Sequence, residues 1–204
     1  MIDELKAIIG PNEDILYAGK PNKKCYLFES IFNPLLPIAV IWAILDFGII
    51  GGGMIADAPG KISGFIFAFM LLHLMPVWIY LGGVLFTFRR YKNTAYVVTD
   101  RAIYISGGIL NRTILTKPFA EMSHIDLHRG IFDQMFGVGD VIATSNQLLP
   151  NGKNTPIKIS SIDNYIEVYN LVKKLQTDIY TDMMYPNAKR PEENPGYNTK
   201  YRGL

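Results

Sequence analysis

Two long apolar blocks constrain this chain more than anything else in it. From Leu35 to Ile55 it reads LLPIAVIWAILDFGIIGGGMI, about 21 residues with one charge. From Ile62 to Phe88 it reads ISGFIFAFMLLHLMPVWIYLGGVLFTF, about 27 residues with no formal charge. A bilayer core about 30 Å thick needs roughly 20 helical residues, so both blocks have spanning length, the second with tilt. Each Leu, Ile, Val or Phe favours insertion by about 0.3–0.6 kcal/mol. The second block carries about fifteen of these and is expected to insert unaided. The first carries about eleven, and Asp46 opposes insertion by about 2.5–3.5 kcal/mol, so it is expected to enter as a hairpin with its neighbour.

The connection ADAPGK (56–61) reads as a tight turn built on Pro59 and Gly60. Lys20, Lys23 and Lys24 precede the first block and Arg89, Arg90 and Lys92 follow the second, while the connection holds only Lys61. The positive-inside rule then puts both termini in the cytoplasm. The expectation is a two-pass protein of the cell membrane: a cytoplasmic segment over 1–30, spans over 31–56 and 62–88, and an outer loop over 57–61. Residues 1–30 are charged and lack an apolar h-region, so no cleavable signal is expected.

Composition excludes several other classes. Twenty Lys+Arg against eighteen Asp+Glu give a net charge of +2, too balanced for a nucleic-acid binder. The single cysteine, Cys25, allows neither an intrachain disulfide nor a thiolate metal cage.

After Arg90 the pattern changes to short β-rich runs. TAYVVT (94–99), AIYIS (102–106) and ILNRTILT (109–116) are separated by Asp100-Arg101 and Gly107-Gly108, which is hairpin chemistry used twice. Residues 121–128 alternate, with Ser123, Ile125 and Leu127 on one face and Met122, His124, Asp126 and His128 on the other. GIFDQMF (130–136) reads as a short amphipathic turn or helix ending at Gly137. Two further strands, 139–145 and 156–160, flank the polar loop NQLLPNGKN. Ile162, Ile166, Tyr169, Val172, Leu175 and Ile179 recur at spacings of three and four, predicting a helix over 162–181 capped by Ser160 or Ser161. The expected domain, 93–182, is α+β: an antiparallel sheet of six strands closed by one C-terminal helix. The residues from 183 onward are Pro-rich and aperiodic, and a disordered tail is expected.

The segments EDILYAGKP, YVVTDRAIYISGGILNR, MSHIDLH and FGVGDVIATS, placed around a transmembrane hairpin, resemble bacterial pleckstrin-homology-like (PH-like) membrane proteins of the YdbS-like type over about residues 12–181. The resemblance implies a rolled antiparallel sheet of about seven strands with one end plugged by the C-terminal helix. A split within 109–119 is the expected source of the seventh strand. It implies no active site.

Asp46 and His73 stand out among candidate functional residues. At 1.5 Å per residue, Asp46 lies roughly 17 Å and His73 roughly 23 Å from the cytoplasmic ends of their helices, so an antiparallel pair can bring them together, with a bend at Pro76 helping. An intramembrane ionisable residue is a functional candidate by default. The structural alternative has Asp46 protonated or at an oligomer interface, with His73 bonded to a carbonyl. His124, Asp126 and His128 lack a third or fourth ligand from elsewhere and read as a solvated strand face, not a metal site. Gly137-x-Gly139 reads as a turn because no helix follows it. Cys25 has no base partner in sequence. Gly48 and Gly52 suit either close helix contact or loop flexibility. Arg89, Arg90 and Lys92 are candidates for anionic lipid headgroups, with topology control as the simpler role.

The expected function is a non-enzymatic, membrane-anchored PH-like binding module with no cofactor, which recruits protein partners or self-associates at the cytoplasmic face. The resemblance suggests an envelope-stress or defence role. Two rivals are an oligomeric transporter or channel subunit using Asp46 and His73, and an anionic-lipid sensor. The lipid bilayer is the expected partner; no nucleic acid and no small-molecule substrate are expected.

Overall fold

The computed structural model describes residues 2–11, 13–50, 52, 64–145 and 156–184. The chain divides into two compact units. Met1–Tyr26 with Arg90–Leu204 form one, and Leu27–Arg89 the other.

The first unit contains seven strands among the described residues, in two antiparallel sheets. Sheet one runs in the order β1 (Ile15–Gly19), β2 (Ala95–Thr99), β3 (Ala102–Gly107), β4 (Thr113–Pro118). Sheet two runs β5 (Met122–His128), β6 (Gly139–Ser145), β7 (Ile157–Ile162). The seventh strand comes not from a split within 109–119 but from β1, ahead of the apolar blocks, where Ala18 pairs with Val97 and Gly19 with Tyr96. The N-terminal segment therefore belongs to the sheet unit, which the sequence reading began at residue 93.

Helix α1 (Ile2–Ile8) explains why every residue of β2 is buried. Tyr96 and Val98 face the main core, while Ala95 and Val97 face Leu5 and Ile9. The main core joins Ile103, Phe119 and Met122 to Val141, Ile159 and Ile162, and to Val168, Val172 and Leu175 of the C-terminal helix. Burial of this kind is worth about 1.5–3 kcal/mol per large aliphatic side chain.

The turn chemistry is visible. Between β2 and β3 the Thr99 hydroxyl accepts from the Ala102 amide (3.0 Å) and donates to Glu13 Oε2 (2.9 Å). Gly108 follows β3 at φ +119°, where a Cβ would sit 1.9 Å from the Asn111 carbonyl oxygen, so strand structure resumes only at Thr113. A β-bulge between Met122 and His124 puts both Met122 and Ile125 against the core, which simple alternation separates. The C-terminal helix starts at Tyr165 rather than 162. Ser160 and Ser161 still belong to β7, so neither caps it. Ile166 consequently faces outward, and Val168 takes the core position.

In the second unit, Lys23–Ile31 (α2) contributes its last residues, followed by α3 (Leu35–Ile44), a π-helical turn (Leu45–Ile50), α4 (Gly64–His73) and most of α5 (Met75–Asn93). Ser30 contacts Thr87, Ile31 contacts Tyr80, and Trp42 and Asp46 contact His73. These pairings descend as the others rise, so the two halves run antiparallel. The continuous spans expected over 31–56 and 62–88 are broken. Asn33 caps a bend of 48° before α3, accepting from the Leu35 amide at 2.8 Å. Pro76, with no N–H and a ring that clashes with the carbonyl four residues back, underlies the 55° bend between α4 and α5. Among the described residues no single helix is long and apolar enough to cross a membrane, although each bent pair reaches the length and composition together. The C-terminal helix runs to Met184, two residues into the tail expected from 183, while the expected outer loop, the 146–154 loop and the residues from 185 onward lie outside the described residues.

Candidate functional site

The break at Leu74 and the π-turn at Leu45 face each other across the second unit, and the two polar side chains of the apolar blocks meet there. His73 Nδ1 lies 2.5 Å from Asp46 Oδ1, and Asp46 is fully buried. The imidazole is flanked by two rings: Phe69 stacks at 5.3 Å and Trp42 lies tilted at 5.2 Å. Broken helices release carbonyls, which in apolar surroundings need donors. Both tryptophans of the chain serve here, Trp42 Nε1 donating to His73 O (2.6 Å) and Trp78 Nε1 to Leu71 O (3.0 Å). Among the described residues Asp46 Oδ2 has no hydrogen-bond partner. The pair thus has one carboxylate oxygen committed to His73 and one without a partner among the described residues.

The basic candidates lie at the end of α5. Arg89, Arg90 and Lys92 are exposed. Arg90 donates from Nε to the Tyr26 hydroxyl at 2.9 Å and lies 5.7 Å from that ring's centre, with Tyr91 5.9 Å from the same ring.

Two arrangements carried no sequence signal. Cys25 is buried and donates to Asp133 Oδ1 (3.4 Å), while Asp133 Oδ2 accepts the Gly130 amide (2.8 Å) at the start of α6 (Ile131–Phe136). Asp140, also buried, accepts the Ser161 amide (2.7 Å) and pairs with Lys158 (2.7 Å). Ser161 has φ +53° and a buried hydroxyl with no partner among the described residues. Gly137 is the left-handed C-cap of α6, in keeping with a turn. His124 and Asp126 are exposed on β5, and the ligand atoms of His124, Asp126 and His128 do not converge. A hollow of about 220 Å³ at the start of the C-terminal helix is lined by Asp163 and Glu167, whose carboxylates already accept from Asn22 and Asn164.

Buried tyrosines mark the electrostatics of the sheet unit. Burial, followed by the hydrogen bond to Glu13, pushes Tyr104 up to about 12. Burial also raises Tyr96, whose hydroxyl accepts the Ser160 amide, and Tyr17.

Two antiparallel sheets of four and three strands, packed on one C-terminal helix, define a PH-like fold. Residues 43–176 match the family described as bacterial PH domain, more than half of the chain, and the protein belongs to that family. The matched stretch begins inside the first apolar block and includes Asp46 and His73, whereas β1 precedes it. The match indicates no enzymatic family. No curated protein and no solved structure matches the chain.

Proposed function

We propose that this protein is an integral membrane protein of the YdbS-like type that holds its PH-like unit at the cytoplasmic face as a non-enzymatic binding module for protein partners or for further copies of itself. The observation that carries the anchoring is the inverted surface of Leu27–Arg89. Ile41, Ile44, Phe47, Leu72, Ile79 and Leu85 face outward, while Asp46 and Thr87 are buried. Large apolar side chains turned outward while a carboxylate is buried suit lipid better than water. On this reading the spans run over 31–56 and 62–88, bent as described, with both termini cytoplasmic. Arg89, Arg90 and Lys92 then lie at headgroup level, with Tyr26 and Tyr91 as interfacial aromatics.

The binding surface is a free sheet edge. Among the described residues β4 has no neighbour beyond β3 within its sheet, and it exposes Thr113, Leu115 and Thr116, a form that accepts an added strand. Photocrosslinking from Leu115 in native membranes tests this. Discrete adducts are expected, and their absence from every position along β4 contradicts the reading.

The unpartnered Asp46 Oδ2 favours a second reading, an oligomeric transporter or channel subunit. Asp46→Asn abolishing a pH-dependent phenotype supports it; unchanged activity removes it. Anionic-lipid sensing is the third reading, supported by the exposed Arg89 and Lys92. It predicts a response of the sheet unit to anionic lipid that salt suppresses.

A further inference from the structure

Asp46 and His73 differ in what can reach them. The Asp46 side chain is fully buried, whereas that of His73 is 34% exposed. Nδ1 of the ring faces Asp46 Oδ1 at 2.5 Å, and Phe69 and Trp42 lie beside the ring. The edge carrying Nε2 points away from the carboxylate, and from that side the ring can be reached. The His73 carbonyl accepts from Trp42 Nε1 (2.6 Å), so backbone and ring are both held against the first apolar block. No other carboxylate, imidazole or amine lies among the described residues from Ile31 to Phe88, and Tyr80, the remaining titratable group there, donates to Ile31 O. Asp57 and Lys61 fall in the connection, outside the described residues. A metal ion needs several more donors than this pair offers. A proton needs only the two.

The same two heavy atoms suit either position of the shared hydrogen: Nδ1–H donating to the carboxylate, or the carboxylic acid donating to Nδ1. Oδ2, with no partner among the described residues, is not fixed by a second hydrogen bond, so the carboxyl group accommodates both forms. We propose that Asp46 is a buried proton store which His73 loads and unloads. From the form with hydrogen on Nδ1, Nε2 accepts a proton from outside. The Nδ1–H bond then breaks as an Oδ1–H bond forms, which leaves Asp46 a neutral acid and the ring neutral with its hydrogen on Nε2. The pair gains one proton and passes from one negative charge to none. Release runs the same steps backwards, and Asp46 exchanges with the outside through the imidazole alone. This deepens the second reading above, the transporter or channel subunit, by naming the proton as what the pair handles, and it rests on that reading for the route that brings protons to the exposed edge of His73.

The test uses the full chain in liposomes, stepped rapidly from mildly alkaline to mildly acidic buffer, and follows the carboxylic-acid carbonyl band in the infrared. A band that Asp46→Asn removes is expected, and in His73→Gln it should form more slowly by about a hundredfold or more. Formation at the unmodified rate in His73→Gln overturns the relay. A second measurement leaves the pair intact. With His124→Gln and His128→Gln, the remaining imidazole is His73. Nitrogen-labelled histidine in that chain is expected to show the ring hydrogen moving from Nδ1 to Nε2 as the Asp46 band grows. A doubly protonated ring beside an ionised Asp46 overturns the proposal. Proton uptake into dye-loaded vesicles separates this inference from the reading it rests on. An Asp46 band formed through His73 without Asp46-dependent flux upholds the relay and removes the transporter. Asp46-dependent flux without the band upholds the transporter and removes the relay.

Discussion

In the sheet–helix unit the side chains withdrawn from the surface are Val97, Ile103, Ile159, Val172 and their neighbours, and polar residues among them such as Thr99 and Asp140 are bonded to backbone amides. In Leu27–Arg89 the withdrawn set includes Asp46 and Thr87, while Phe47, Leu72 and Leu85 are 65%, 78% and 68% exposed. One chain therefore follows two burial rules. On the membrane-anchored reading proposed above, the difference teaches that the units are built for different surroundings: burial of apolar area drives the first, whereas a unit facing lipid would gain little from hiding leucine and would instead have to satisfy its polar groups internally. Indole-to-carbonyl bonds at the helix break, Ser30 on Thr87, and Tyr80 on Ile31 O are what the second rule demands.

The sharpest way to separate the two rules is to remove matched apolar side chains. Phe119→Ala in the sheet-unit core is expected to cost about 3–5 kcal/mol, whereas Ile41→Ala on the outer face of α3 should change stability by no more than about 0.5 kcal/mol in a lipid-like medium. Denaturant midpoints of the full chain in mixed micelles, read by near-ultraviolet circular dichroism, check both. Equal losses break the comparison.

The polar counterpart comes next in size. Asp46→Ala leaves His73 Nδ1 without its hydrogen-bond partner and is expected to destabilise the apolar unit by about 1–3 kcal/mol. Replacing both partners, Asp46→Leu with His73→Leu, should recover most of that loss, because an apolar pair leaves no orphan. Detergent-denaturation midpoints of the two variants decide it; a double variant weaker than the single contradicts the account.

Alkaline titration addresses the sheet unit alone. Tyr104 and Tyr96 are raised by burial, the former to about 12, so the folded state retains protons that the unfolded chain has lost above about pH 10. Stability is therefore fully present below about pH 10 and falls as pH rises toward the folded values, by about 1.4 kcal/mol per pH unit for each such tyrosine. Tyr104→Phe should flatten part of that slope. The smallest effect expected is at Ser161, whose φ of +53° and unpartnered hydroxyl make Ser161→Gly stabilising by up to about 1 kcal/mol in the same unfolding assay.

Local chemistry made much of the first unit readable. Asp100-Arg101 and Gly107-Gly108 announce two turns, and the spacing of Val172, Leu175 and Ile179 announces the closing helix. The strand β1 was not readable, because its partner Tyr96 lies beyond both apolar blocks and five residues carry too weak a pattern alone. Ile2, Leu5 and Ile9, spaced by three and four, did carry a helix signal that the surrounding charges obscured. The Asp46–His73 distance was accessible to helix-rise arithmetic, but the π-turn and the indole bonds that build its surroundings were not. Nothing in the sequence links Cys25 to Asp133, since the contact depends on how α2 and α6 meet.

The central claim is that Leu27–Arg89 is surrounded by lipid, and flotation after alkaline carbonate washing tests it most directly. Membranes from cells producing the full chain are stripped with carbonate and layered beneath a sucrose gradient. The account predicts that the chain rises with the lipid fraction. Release into the carbonate supernatant, or recovery at the bottom of the gradient with the lipid above it, contradicts it.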